Sequence, residues 1–418
     1  MFKKLINNDY LKNITTLASG TFLSQVTLII FIPILSRIYT PDEFGLYSLF
    51  LAFSGSIAII STMTFDRAIV LPKYKKDSIS LSILSIILCF VTSIITGSTM
   101  LFFKDFFIEY FGGFTFLLFL IPLKVFQAGL QQIFDEISIR NKFFISLSSL
   151  RASNSIIVSV IQFLSKYIYK LDGLIIGKFI GDFITLILLI ILNIRKKTII
   201  FSSTSIKQIF KVARANFLFP KFYLPQIAFN NISLNLPFIL FPVFYSLEVA
   251  GLYGMSIRIL EQPIRLISTS TQSVYYQKAS ELYANDKSIY NLFLITSKGL
   301  FKIFILPALL VFLFGPSLFS FFLGFEWFES GVISQILIIW LAVGFAKTPA
   351  TMTFSILGKQ KVQMYGEFLL LIARVFGICA GYYILQSYIW SIILFVIPTI
   401  AIDIFFIYYI INELRKIK

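Results

Sequence analysis

The feature that most constrains this chain is a run of about twenty apolar residues, long enough to cross a bilayer, that recurs almost evenly from end to end. The approximate spans are 14–36, 44–64, 79–103, 111–134, 146–165, 172–194, 220–243, 249–273, 290–314, 330–355, 363–385 and 389–412. Only 13% of residues are charged and 57% are hydrophobic, with a mean hydropathy of +0.87. A soluble chain carries roughly a quarter charged residues, so the apolar excess must face lipid. The expected fold class is an all-α integral membrane protein with about twelve transmembrane helices. The basic N-terminus runs into an apolar stretch from Ile14 that is too long for a signal-peptide core, so it is read as a retained first span.

Loop charge sets the orientation. With both termini cytoplasmic, twenty-two Lys and Arg fall on the inner side, against Arg37, Lys104, Lys166 and Lys170 outside. The net charge of +16 is therefore read as a cytoplasmic bias and not as a nucleic-acid footprint. Outer loops are expected to be short, the longest running from Gly315 to Glu329.

The longest connection, 195–219, is cytoplasmic and divides the chain into an N-terminal six-helix lobe, 1–194, and a C-terminal six-helix lobe, 220–418. Its Ile206, Ile209, Phe210 and Ala213 share one helical face, away from Lys207, Lys211 and Arg214. Two readings stand: an amphipathic helix on an anionic leaflet, or a solvated linker helix. The halves echo each other, because Gly45-Leu46-Tyr47 and Gly251-Leu252-Tyr253 open the second spans of their lobes at an offset of 206 residues. A parallel repeat of this kind places a substrate path between the lobes.

Within the spans lie ten cations: Lys124, Arg151, Lys178, Lys221, Arg258, Arg265, Lys298, Lys302, Lys347 and Arg374. The acids there are Asp182, Glu261, Glu367 and Asp403, leaving a surplus of six positive charges. Each charge facing lipid costs about 2.5–3.5 kcal/mol on the insertion scale, so most must face water or one another. Arg151 and Lys221 lie near cytoplasmic ends, where snorkelling is an equal alternative. Lys178 with Asp182, and Glu261 with Arg265, are spaced i,i+4 and read as ion pairs. Glu367 and Arg374 lie two turns apart on one face and can pair less directly. Lys124, Arg258, Lys302, Lys347 and Arg374 are nearer mid-span, and only Arg374 has an obvious acid partner on its own helix. Lys298 and Lys302 place two like charges on one face, which calls for an anion or water opposite. Pro33, Pro225, Pro237, Pro263 and Pro349 each remove a backbone donor and are candidate hinges. Asn230, Asn231 and Asn235 are candidates for sugar hydroxyls or for helix–helix glue.

The chain has no histidine, which excludes imidazole catalysis and His-ligated metal sites, and Cys89 and Cys379 read as small hydrophobes. It has no P-loop, no nucleophile elbow and no zinc motif. An enzyme is not expected, nor is any cofactor or metal.

Ser19-Gly20-Thr21, Gln25 and the run Pro33 to Gly45 resemble the opening of bacterial polysaccharide-unit flippases of the O-antigen type. These belong to the superfamily that also holds the multidrug and toxin extrusion transporters. Ala68 to Pro72, Gln277 to Ser280 and Ser355 to Gln360 are similar at corresponding places; Phe65-Asp66-Arg67 departs from the family's pattern. The resemblance implies two bundles in a V, alternating access around a central cationic cavity, and an undecaprenyl-diphosphate-linked oligosaccharide as substrate. It places the protein in the bacterial inner membrane, in O-antigen, lipopolysaccharide or capsule synthesis. The cavity would be lined by Lys124, Arg151, Lys178, Arg258, Arg265, Lys298, Lys302, Lys347 and Arg374. Asp182, Glu261, Glu367 and Asp403 are candidates for proton or sodium coupling, and a polysaccharide polymerase and membrane lipid are candidate partners. Alternatives are a cation-coupled drug exporter on the same fold, a membrane polymerase or glycosyltransferase, and a peptidoglycan-precursor flippase.

Overall fold

A computed structural model describes residues 8–169, 173–196, 198 and 205–416. Among them every regular element is helical, as expected where lipid leaves no backbone group an outside partner. The long helices are α1 (Asn8–Ser36), α2 (Pro41–Ser61), α3 (Lys75–Phe102), α4 (Leu117–Arg140), α5 (Phe144–Tyr169), α6 (Gly173–Arg195), α7 (Leu224–Phe244), α8 (Leu247–Ala284), α9 (Tyr290–Leu323), α10 (Phe328–Ile356), α11 (Gln360–Tyr383) and α12 (Tyr388–Lys416). Ten of these are long and apolar enough to cross a membrane. α1 and α8 stand outside that ten, and α8 carries Arg258, Glu261 and Arg265 in its middle.

Several boundaries differ from the sequence reading, and two of the differences bear on the site. Residues 111–116 belong to a turn after a short helix, Lys104–Tyr110, and α4 instead runs on to Arg140. Asp135 and Glu136 are thereby brought inside the helix. The fifteen-residue outer loop does not exist either: α9 stays helical to Leu323 despite Pro316, and only Gly324 to Trp327 turn the chain. Gly324 ends the helix at φ 116°, a conformation that favours glycine. α9 and α10 then meet through glycine, since a Cβ on Gly315 would lie 2.7 Å from the Gly331 carbonyl oxygen.

Contacts divide the chain into two compact units, Met1–Phe31 with Leu46–Asn231, and Ile32–Gly45 with Ile232–Lys418. The seam therefore lies inside α7, and the tip of the α1–α2 hairpin belongs with the C-terminal half. Each unit has its own apolar core, around Phe65, Leu81, Ile133 and Leu189 in the first and Phe293, Ala350, Phe354 and Ile410 in the second. The linker helix Ile206–Ala215 buries Val212 in the first core, while Gln208 donates to Asp77 on α3 at 2.6 Å. It is docked, not solvated, and Ile206 and Phe210 are left exposed.

The hairpin tip is held within the second unit by several bonds. Thr40 and Glu43 form a capping box, with the Thr40 N–H donating to Glu43 Oε2 at 2.8 Å and the Glu43 N–H to Thr40 Oγ1 at 3.4 Å. Pro41 sits at the first helical position, where its missing N–H costs nothing. Ser36 donates to the Leu323 carbonyl (3.1 Å), and Trp327 Nε1 donates to the Ser36 carbonyl (2.9 Å). Phe44 meets the Trp327 ring edge-on at 5.2 Å.

The two glycines of the sequence repeat face each other across this contact. A Cβ on Gly45 would lie 1.8 Å from the Leu247 carbonyl oxygen, and one on Gly251 would lie 1.8 Å from that of Pro41. Pro41 and Leu247 are themselves repeat-equivalent, so the contact is reciprocal, as about a local two-fold axis. Ser246 caps α8 through the Val249 N–H (3.2 Å), at the position equivalent to Thr40.

Candidate functional site

In the first unit α4, α5 and α6 bring their polar residues together. Gly177 and Gly181 let α6 approach α5 closely, for a Cβ there would lie 2.7 Å from Gln162 Cα and 2.6 Å from Val158 Cγ2. That approach sets Asn154 beside Asp182. Asp182 receives Lys124 at 2.5 Å and Asn154 at 3.1 Å from the neighbouring helices, and Lys178 at 2.9 Å from its own. Gln127 orders the base of the cluster, accepting from Lys124 (2.9 Å) and donating to the Phe179 carbonyl (3.1 Å). Two lysines on one carboxylate leave one positive charge.

One further turn along α5, Arg151 pairs with Asp135 at 3.3 Å, and Gln131 supports that carboxylate at 3.1 Å. Arg67 pairs with Glu136 at 2.7 Å, while buried Asp66 accepts from Thr62 at 2.6 Å. These residues give the departure at Phe65-Asp66-Arg67 a physical role in closing the turn after α2. Arg140 donates to the carbonyls of Ile69, Val70 and Pro72, tying down the Ala68 to Pro72 motif.

In the second unit Arg374 is 2% exposed, and its guanidinium lies among hydroxyls and rings. It donates to Ser233 on α7 (2.7 Å) and Thr399 on α12 (3.0 Å), and lies over the rings of Phe395 (4.5 Å) and Trp340 (5.5 Å). Hydroxyls and aromatic faces hold it; among the described residues no carboxylate lies within ion-pair distance. Lys347 on α10 pairs with Asp403 on α12, whose Oδ2 is buried without a hydrogen-bond partner among the described residues. Glu367 is buried on α11. In the turn between α10 and α11, Lys359 contacts Glu413 at 3.1 Å, a hydrogen bond that holds its ammonium pKa above the usual lysine value.

Lys124 and Lys347 have no acid partner on their own helices, and Asp182 and Asp403 reach them from other helices, which spacing along one helix cannot reveal. The expected Lys178–Asp182 pair is present, and Glu261 and Arg265 approach only to 3.8 Å. Arg151 has an acid partner that the shifted α4 boundary had hidden. Arg258 is half-buried, whereas Arg265, Lys298 and Lys302 are exposed. Asn154, Gln127, Asp135 and Glu136 were not singled out in sequence; the i,i+4 pairs Gln131–Asp135 and Lys178–Asp182 were the available signals. Among the described residues no cluster of three or more Cys, Asp or Glu side chains is placed to hold a metal.

The chain is thus a multi-pass helical membrane protein with ionic networks inside both units. The solved structures agree on the fold. A lipid II flippase, MurJ, in an inward closed conformation matches with a TM-score of 0.74 at 15% identity, over 96% of this chain and 89% of that one. An inward-facing multidrug resistance MATE family transporter of the MOP superfamily matches at 0.67 and 14% identity, over 96% of each chain. A MOP superfamily transporter from Pyrococcus furiosus, described as having a binding pocket of reverse polarity, matches at 0.59 and 13% identity, over 97% of this chain and 96% of that one. A search of curated proteins gave no match. The sequence profile of the family described as polysaccharide biosynthesis protein matches residues 34–332, and the chain belongs to that family.

Proposed function

We propose that this protein is a flippase that carries undecaprenyl-diphosphate-linked oligosaccharide units across the bacterial inner membrane by alternating access, for O-antigen or capsule-type surface polysaccharide. All twelve long helices span the bilayer in this reading, with both termini in the cytoplasm and the exposed Ile206 and Phe210 resting on the inner leaflet. The observation that carries it is the family match, joined to basic charge inside the second unit that its acids do not balance. A diphosphate entering hydrocarbon needs such counter-charge; a cationic drug would be repelled by it.

The proposed roles of the basic residues follow their exposure and their partners. Lys298, Lys302, Arg265 and Arg151 are accessible enough to meet a diphosphate. Lys124, Lys347 and Arg374 are engaged with helix neighbours and act by positioning those helices. The carboxylate of Asp403, with one oxygen unpartnered, is the candidate for proton coupling, ahead of Asp182, Glu261 and Glu367.

The test is deletion of the gene. Loss of surface polysaccharide, with lipid-linked units accumulating on the cytoplasmic leaflet, is the expected outcome. Normal polysaccharide in the deletion strain refutes the reading, and transport insensitive to collapse of the proton and sodium gradients refutes coupling.

A further inference from the structure

α9 carries two unneutralised lysines at one end of an apolar groove. From Ile303 to Leu323 the helix has no charged residue, and these 21 residues span about 31 Å at 1.5 Å each, matching the hydrocarbon thickness. Lys302 and Lys298 therefore sit at the edge of the hydrocarbon and not at its centre, where an α9 ending at 314 would put Lys302. In the orientation of the proposed function, on which this inference rests, that edge is the inner-leaflet headgroup level.

Lys298, Phe301, Lys302, Ile305, Leu309 and Phe312 follow the i, i+3, i+4, i+7 spacing of one helical stripe. Along its apolar part, α9 and α10 enclose a groove of about 290 Å³, lined by Phe301, Ile305, Ala308 and Leu309 on one side and Ile339 and Ala342 on the other. Its α9 wall, from Phe301 to Phe312, rises about 16 Å, roughly the depth of one leaflet. Alanines where larger residues would fit leave the trough open. Both lysines are exposed, and among the described residues neither has an acid within ion-pair distance. Like charges at i,i+4 destabilise a helix unless an anion joins them.

We propose that this groove is the loading site for the lipid-linked substrate itself, with the isoprenoid chain lying between α9 and α10 and the diphosphate held by Lys298 and Lys302. Two ammonium groups match a diphosphate better than the single charge of a phosphodiester headgroup, which favours the substrate lipid over bulk phospholipid.

The test uses full-length protein in phosphatidylcholine nanodiscs and a diazirine-tagged polyprenyl diphosphate. Labelling is expected on residues 301–312 and 338–343, displaced by unlabelled polyprenyl diphosphate and not by equimolar phosphatidylglycerol. Labelling should fall about tenfold in the double variant K298Q/K302Q, equivalent to ~1.4 kcal/mol. It should fall equally in Ala342→Trp, which fills the groove and keeps both lysines, with gel-filtration profiles confirming folded protein. Labelling elsewhere, labelling unchanged in both variants, or equal displacement by phosphatidylglycerol overturns the proposal. Groove labelling in a protein that flips nothing in liposomes leaves this site standing and removes the transport reading. Undiminished flipping by K298Q/K302Q removes the site alone.

Discussion

Replacing Gly45 by Ala puts a methyl group 1.8 Å from the Leu247 carbonyl oxygen, and replacing Gly251 puts one 1.8 Å from that of Pro41. Both obstacles are helix backbone, so rotamer changes cannot relieve them. The first turns of α2 and α8 must separate by about 1.2 Å to reach even the 3.0 Å limit of real contacts. That movement pulls on Phe44 against Trp327 and on the Ser36 bonds to the same turn. Overpacking at a rigid contact costs about 1–3 kcal/mol, and strain on the neighbouring bonds places each single variant near the top of that range. The double variant discriminates best. Because the contact is reciprocal, the separation that admits one methyl admits the other, so G45A/G251A should cost little more than either single change. Two independent sites would instead add to about 6 kcal/mol. The assay is thermal unfolding of purified protein in detergent, as a double-mutant cycle. Singles that leave stability unchanged, or a double variant that doubles the loss, would refute the mutual packing.

Three further predictions follow from the ionic networks and the hairpin tip. Asp182→Ala leaves Lys124 and Lys178 facing each other without a counter-ion and should destabilise by about 3–5 kcal/mol; adding Lys124→Met should recover part of the loss in the same unfolding assay. Arg374→Lys keeps the charge but cannot reach Ser233 and Thr399 together while stacking on Phe395. On the proposed function, polysaccharide export should fall about tenfold, the effect of ~1.4 kcal/mol, with normal protein levels on membrane immunoblots. Trp327→Phe keeps an aromatic ring for Phe44 but removes the N–H bond to Ser36 and empties part of the buried indole volume; the lost bond alone costs about 1–3 kcal/mol, and the change should appear as a lower melting temperature.

The helices were legible because lipid imposes one length and one polarity on every crossing. The i,i+4 pair Lys178–Asp182 was legible for a similar reason, since one helix fixes the distance. The Lys124–Asp182 and Lys347–Asp403 pairs were not, because their geometry depends on how closely two helices approach. Small residues can set such a distance, as Gly177 and Gly181 do between α6 and α5, and spacing along the chain does not encode it. The loop expected from Gly315 to Glu329 is helix as far as Leu323, and Gly315 is a contact that packs α9 on α10. The repeat at Gly45 and Gly251 was visible in sequence as a likeness of position; that its two members touch was not.

That reciprocal touch has a consequence for inheritance. An interface in which residue i meets j while the equivalent of i meets the equivalent of j is what two copies of one subunit make with each other. Here both copies lie on a single chain, so one genetic change alters only one side of a contact that was built as two identical sides. In a homodimer a larger residue at such a point arrives twice and tests the symmetric solution at once. In this chain it arrives alone, against a partner still shaped for glycine. The two halves are free to diverge across most of their length, but at this turn each half carries the other's tolerance for change.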